Sequence, residues 1–188
     1  MQIPTQKKCF QYISQMEMMD HIVSHSIQVC RVALLLVDEL NHAGIPLSRN
    51  LVQAAALLHD ITKTRSFKTN ENHAATAGEW LTSQGYPEVG AIVRQHVQLD
   101  TYSNSNIPTE VEVVNYADKR VLHDKIVPLS ERMNYILIRY GQELTYSRRI
   151  RNVWKKTEGL EQKIFSRISF APQKVDQYAN QHSFNQEL

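Results

Sequence analysis

Three observations predict an all-α fold. Apolar residues recur at three- and four-residue intervals through most of the chain, no segment alternates with period two, and glycines and prolines fall where such helices should start or stop. The 188 residues suffice for one domain with a sizeable core and are short for two.

In chain order, residues 5–19 carry Phe10, Ile13 and Met16 at helical spacing and read as a lid or packing helix. Residues 20–42 are the clearest helix: Ile22, Val29, Val32, Leu36 and Leu40 form one stripe, and His25 lies on it. Gly44 and Pro46 break that helix, and Ser48 or Asn50 can cap the next, from residue 51 to about 60. This one is apolar nearly all round, as a central helix should be, and it ends abruptly in His59-Asp60-Ile61-Thr62-Lys63. A polar connection is expected over 62–70. From about 71 to 84, His73, Ala77, Trp80 and Leu81 share a face before Gly85 stops the helix. Pro87 then opens a helix to about residue 97, on which Val89, Ile92 and Val93 lead to His96. Residues 99–107 read as a loop. Pro108 opens a helix with Val111, Val114 and Asp118 on one face. Further helices are predicted over 129–140, ended by Gly141, and over about 145–168, a long basic segment containing Trp154. Residues 171–188 have little to bury and read as a polar, frayed tail, which leaves 1–170 as the domain.

The formal charge of +2 is mild, and Lys and Arg are spread along the chain before thickening modestly after Asp118, so a nucleic-acid partner is not indicated. Of the two cysteines, Cys30 lies in an apolar helical run as a buried thiol, which favours a reducing, cytoplasmic setting. The longest apolar run, residues 32–37, is far below the roughly 20 residues needed to cross a bilayer, so no membrane is expected. A homodimer through the basic C-terminal helix with Trp154 is an open arrangement.

Four histidines (His25, His59, His73, His96) and two carboxylates (Asp60, Asp118) fall on inward faces or ends of five successive helices. Imidazoles and carboxylates together suit borderline divalent ions such as Mn, Fe, Co, Ni or Zn. Six ligands exceed what one catalytic ion needs, so two ions bridged by a carboxylate make better sense. The assignment is His25, His59 and Asp118 around one ion, His73 and His96 around the other, and Asp60 between them. His123-Asp124 repeats the dipeptide without this convergence, and His21, His42, His123 and His182 read as surface residues. Lys63, beside such a centre, is placed to neutralise a phosphate oxygen.

The pattern His25, then His59-Asp60, then Asp118 resembles the HD-domain superfamily of metal-dependent phosphohydrolases. The string from His59 to Lys63 is similar to that superfamily's His-Asp-Ile-Gly-Lys variant, with Thr62 where glycine is usual. His73-Ala74 followed by Gly78 and Leu81, then Ile92 through His96, resembles the two extra-histidine motifs of binuclear members. Ala117-Asp118-Lys119, leading towards Arg132, is similar to the closing motif of bacterial HD-type hydrolases of dinucleoside tetraphosphates. The resemblance covers about residues 20–140. It implies an HD-type helical bundle with additional C-terminal helices, two divalent ions, and hydrolysis of a phosphoester or phosphoanhydride of a nucleotide by a hydroxide bridging the ions. Asp60 and Lys63 would be catalytic; Lys63, Lys119 and Arg132 would bind substrate. Thr62 is expected to narrow the pocket, and the interval from Asp60 to His73 is short beside many binuclear relatives. Two other readings stay open: a nucleotide- or metal-sensing module, and a di-iron oxygenase of the same fold.

Overall fold

Burial follows the apolar stripes. In the computed structural model, which describes residues 2–102 and 105–182, the stripe on the second segment becomes the buried face of the longest helix. The elements are α1 (Gln6–Gln15), α2 (Asp20–His42), α3 (Arg49–Leu58), α4 (Lys63–Thr69), α5 (His73–Ser83), α6 (Pro87–Val93), α7 (Glu110–Asp118), a hairpin of β1 (Val121–Leu122) and β2 (Lys125–Ile126), α8 (Leu129–Tyr140), α9 (Leu144–Phe165) and α10 (Val175–Gln181). The all-α class holds apart from that hairpin.

By length and composition α2 could cross a bilayer, yet its apolar face is spent inside the protein, against α3, α7 and α10. Helix α3 also packs on α1, α6 and α7, and it buries Leu51, Val52, Ala54, Ala55, Ala56, Leu57 and Leu58. It is the central helix, as its all-round apolar surface requires. Helix α1 is a packing helix, with Cys9, Tyr12 and Ile13 buried. Cys9 and Cys30 are both free and buried.

Helices α5 and α6 cross in close contact. A Cβ on Gly90 would sit 2.5 Å from the Gly78 carbonyl oxygen, and one on Gly78 would sit 2.8 Å from that of Gly90. Two glycines thus set the separation of the helices that begin at His73 and lead to His96. Helix α7 starts in a capping box between Thr109 and Glu112, and the Lys163 ammonium donates to both Glu112 oxygens at 2.7 and 2.8 Å, tying α9 to it.

Three local expectations change. Residues 63–69, expected as a polar connection, are helix α4; the segment has no breaker before Asn70, which ends it in the left-handed region at φ 56°. The hairpin was not anticipated, because two residues per strand are too few to show alternation; its register pairs Val121 with Ile126 and Leu122 with Lys125. The expected frayed tail is ordered through its described part: Pro172–Lys174 form a 3₁₀ turn and α10 buries Val175 and Ala179. Two apolar side chains four apart make a small face that composition overlooks. Arg120, fully buried, fastens this segment by donating to the Pro172 carbonyl at 3.1 Å, to the Tyr116 hydroxyl at 2.7 Å and to the Val127 carbonyl at 2.8 Å. Ser103 and Asn104 of the expected loop, and residues 183–188 of the expected tail, lie outside the described residues.

Candidate metal centre

All six side chains selected from the sequence arrive in one place. Three of the histidines are oriented by a backbone carbonyl that accepts from Nδ1: His123 for His25 at 2.9 Å, Ala56 for His59 at 2.8 Å, and Val93 for His96 at 2.7 Å. Each neutral ring therefore carries its proton on Nδ1 and turns a bare Nε2 inward. His123, read as a surface residue, is exposed as a side chain; its backbone, at φ 56° in the hairpin turn, supplies the carbonyl for His25. No side-chain pattern could announce this, because a carbonyl is the same on every residue.

Asp60 lies between two sets of nitrogens. Its Oδ2 is 3.3 Å from His59 Nε2, and its Oδ1 is 3.3 Å from His73 Nε2 and 3.5 Å from His96 Nε2. Asp118 Oδ1 is 3.1 Å from His25 Nε2 and 3.8 Å from His59 Nε2. Two ligands on one ion at about 2.1 Å are about 3.0 Å apart at right angles and about 3.4 Å apart in a tetrahedron. The observed spacings match that scale. His73 Nε2 and His96 Nε2 face each other at 3.2 Å, a spacing that two ligands of one ion would also have.

Burial makes the same point. His59 Nε2 and Asp60 Oδ1 are buried atoms without a hydrogen-bond partner, and such groups cost free energy unless a further partner satisfies them. Two groups could hold an ion, His25 with His59 and Asp118, and His59 with Asp60 and His96. The donor set and its orphaned atoms fit divalent metal. The electrostatics agree: although burial opposes charge at Asp60 and Asp118, the surrounding imidazoles, with Lys119 beside Asp118, hold both carboxyls well below the usual range. Burial likewise opposes charge on His59, but Asp60 and Asp118 outweigh it and raise its pKa; for His96, burial wins and lowers it. Both carboxylates are thus ionised and His96 is kept neutral, the states in which they ligate.

The centre opens on two sides. A cavity of about 390 Å³ is lined by Lys63, His73, His96, Asp118, Lys119 and Arg132, with Val97, Met133, Ile136, Tyr140, Arg149, Ile150 and Val153 as its outer wall. A second, of about 260 Å³, reaches His25 and Asp60 between Phe67, His123, Tyr135 and Arg139, and shares Lys63, Arg132 and Tyr140 with the first. The outer wall from α8 and α9 had no signal in the sequence beyond helical spacing.

Lys63 donates to Asp60 Oδ2 at 2.7 Å and keeps about a third of its side chain exposed. Burial opposes its charge, but Asp60 outweighs this and raises its pKa. Arg132 lines both cavities, and its Nε is buried without a partner. Lys119 does not suit the substrate contact expected of it. Its ammonium is buried and donates to the carbonyls of His96 at 2.9 Å and Asn115 at 3.1 Å, and burial pulls its pKa down to about 8. It is a strut that holds the His96 loop. Thr62 does not narrow the pocket. Its hydroxyl turns away to the His73 carbonyl at 2.8 Å and lies 3.1 Å from that of Thr76, so the residue standing where glycine is usual anchors the start of α5. His21 and His42 are exposed, although His21 lines the smaller cavity. His182 is half-buried, with Nε2 2.9 Å from Asp38 Oδ2, away from the centre.

Comparison with known proteins identifies the family. Residues 22–121, more than half of the chain, match the HD domain family. Over 145 residues the chain is 29% identical to a tRNA (cytidine(56)-2'-O)-methyltransferase of Picrophilus torridus, an alignment that covers 70% of this chain and 40% of that protein. The chain thus spans less than half the length of this curated relative. No solved structure matches. The family match covers α2 through the start of the hairpin, the span that carries every one of the six converging side chains, and the chain belongs to the HD-domain superfamily of metal-dependent hydrolases.

Proposed function

We propose that the chain hydrolyses a phosphoester or phosphoanhydride, carried on a nucleotide, at a centre of two divalent ions. The observation that carries this reading is the pair of orphaned buried atoms, His59 Nε2 and Asp60 Oδ1, at the junction of two ligand sets whose His73, His96 and Asp118 line the larger cavity together with Lys63 and Arg132. His25, His59 and Asp118 would hold one ion, His73 and His96 the other, and Asp60 would share its two oxygens between them. Ions held there supply Lewis-acid charge and ionise water near neutral pH.

The remaining roles belong to side chains. Lys63 and Arg132, which both line the two cavities, hold the phosphoryl oxygens and offset the charge that grows on them as the bond to the leaving group breaks. Lys119 keeps the His96 carbonyl, and with it the loop that carries the ring, in place. The apolar wall of Met133, Ile136, Ile150 and Val153 offers an organic leaving group a dry surface and suits a nucleoside better than inorganic polyphosphate. A relative whose printed name places it on tRNA fits a substrate that carries nucleotides.

The test is elemental analysis of protein purified without chelator, followed by phosphate release from a panel of nucleotides and phosphoesters with Mn, Fe, Co, Ni or Zn. Release that depends on metal and is abolished in Asp60→Ala is the expected result. Equal rates in chelated and metal-loaded protein would overturn the proposal. Oxygen uptake by iron-loaded protein without phosphate release would replace it with an oxygenase, and tight nucleotide binding without turnover with a sensor.

A further inference from the structure

The two helices that wall the larger cavity on its outer side are held at their roots. From residue 134, just past the buried Met133, to residue 156, just before the buried Thr157, no residue of α8, the turn at Gly141 or α9 is buried. Ile136, Ile150 and Val153 line the cavity, whereas Ile138 and Leu144, nearer the turn, are exposed by 74% and 67%. An antiparallel helix pair whose inner face looks onto an open space of about 390 Å³, and not onto a core, has little packing to fix it in one position. Its ring contacts lie at the roots, Tyr135 with His123 at 5.3 Å and the Lys156 ammonium over Tyr102 at 4.7 Å. Further out, Arg149 donates to Gln98 at 3.3 Å; both residues are exposed, and such a bond in water holds weakly.

The root on α9 is also soft. The Thr157 hydroxyl donates to the Val153 carbonyl one turn back at 2.8 Å, a bond that bends helices. Gly159 follows in the interior of the same helix, where a Cβ would meet nothing within 4 Å. Packing therefore does not call for glycine there, and what the residue contributes is freedom of the backbone. Space for movement adjoins the roots on two faces. The larger cavity lies against Met133 and Val153, and a smaller void, of about 150 Å³, lies against Leu129 and Trp154. A close-packed root would resist a change of angle; one flanked by two voids does not.

We propose that residues 134–156 are a lid that pivots at Met133 and at Thr157–Gly159 and closes on the organic part of the substrate. Its inner face, Ile136, Ile150 and Val153, gains by closing only where apolar surface is there to be covered, and a bare phosphate offers none. Val97, which lines the same cavity beside His96 and is 47% exposed, is covered in the same step. Closure expels water from around Lys63 and Arg132 and so strengthens their hold on phosphoryl oxygens. The lid thus selects an organic phosphate over an inorganic one. The pivot stands on packing alone; what the lid closes on rests on the phosphohydrolase reading above.

The test is pulsed electron spin resonance between nitroxides on the whole chain with zinc, which is diamagnetic. Labels go on Glu79→Cys in α5 and Leu144→Cys near the tip of the hairpin, both exposed positions. Cys9 and Cys30 stay unlabelled, because burial pushes the Cys9 thiol up to about 12 and that of Cys30 further. Without ligand the distance distribution should be at least about twofold broader than that of Asn50→Cys/Glu79→Cys, a pair on α3 and α5. AMP, GMP, CMP or UMP, whichever binds by calorimetry, should draw it to its short end, and inorganic phosphate should not. Gly159→Ala, for which there is room, should shift the ligand-free balance about fivefold towards one position without lowering the melting temperature. The lid is overturned if the ligand-free distribution is as narrow as the core pair, if Gly159→Ala leaves it unchanged, if a nucleotide binds without narrowing it, or if inorganic phosphate closes the hairpin as fully. Should no nucleotide bind, the nucleotide reading fails, and a broad distribution that Gly159→Ala narrows still upholds the pivot.

Discussion

Replacing Thr62 by valine tests how the second half of the centre is held. The hydroxyl is buried and donates to the His73 carbonyl at 2.8 Å; the exchange removes it at nearly constant volume. The carbonyl is not left bare, because the Thr76 hydroxyl also reaches it at 3.4 Å. The loss in stability therefore stays near about 1 kcal/mol, the low end for a buried hydrogen bond, or about 2–4 °C in a chain of this size. The larger effect falls on metal. Among the described residues the Thr62 hydroxyl has no hydrogen bond to His25, His59 or Asp118, whereas it anchors the first turn of the helix that begins at His73. Weakening such an anchor lowers affinity at the ion it serves by about 10–100-fold. Titration of chelated protein with Mn or Fe, read by elemental analysis after desalting, should show one ion retained and the second lost at limiting metal. Loss of both ions in parallel, or of neither, would refute the assignment of Thr62 and His73 to a separately held second site.

Three more perturbations follow from the same geometry. Gly90→Ala drives a Cβ to within 2.5 Å of the Gly78 carbonyl; overpacking at this crossing should cost about 1–3 kcal/mol, outweighing the gain in helix propensity, and thermal melts should show the drop together with loss of the second ion. Lys63→Met should lower kcat by about 10²–10³-fold at unchanged metal content, with Lys63→Arg recovering part of it; an unaltered kcat removes Lys63 from the mechanism. Lys119→Met removes a donor from two buried carbonyls, of which that of His96 still accepts from Asn115 Nδ2 at 3.0 Å, and should cost about 1 kcal/mol, with little change in KM; a raised KM at unchanged stability would restore the substrate contact. A pH series sharpens this last case. The Lys119 pKa is lowered from 10.5 to about 8 in the folded chain, so between those values the unfolded chain binds more protons, and Lys119 contributes stability that rises with pH. The rise should be absent from the variant's own curve and so appear in the difference between the two.

The six converging side chains were legible because each sits where helical periodicity points inward. His25, Val29 and Val32 share the α2 stripe, and Val114 with Asp118 does the same on α7. What stayed hidden lies off that periodicity. The carbonyl of His123 orients His25, yet a sequence lists only side chains, and the residue was set aside as a repeat of the dipeptide. Lys119 was matched to a motif but points at two carbonyls, because residue type does not fix which way an ammonium turns. Arg120 is buried among three acceptors, and nothing in the spacing of its neighbours sets it apart from a solvated cation. The packing of α10 escaped because its apolar face is only Val175 and Ala179, too small to stand out in a polar tail.

The abrupt polar end of the central helix has a physical cause that the ligand list does not convey. Helix α3 ends at Leu58, immediately before His59; α6 ends at Val93, one turn before His96; and α7 ends at Asp118 itself. Three helices thus bring their carboxyl ends to the site, where carbonyl dipoles concentrate negative potential. Such ends repel anions and favour cations, and two of them also lend a carbonyl, Ala56 and Val93, to fix an imidazole. The opposite polarity arrives with α4 and α5, which begin at Lys63 and His73 and turn amino ends towards the cavity. Metal on the carboxyl side and phosphate on the amino side is the arrangement these dipoles favour. Reversing one sign separates the two halves: a cation placed near the carboxyl ends should compete with metal, while loss of Lys63 should spare metal and cost turnover.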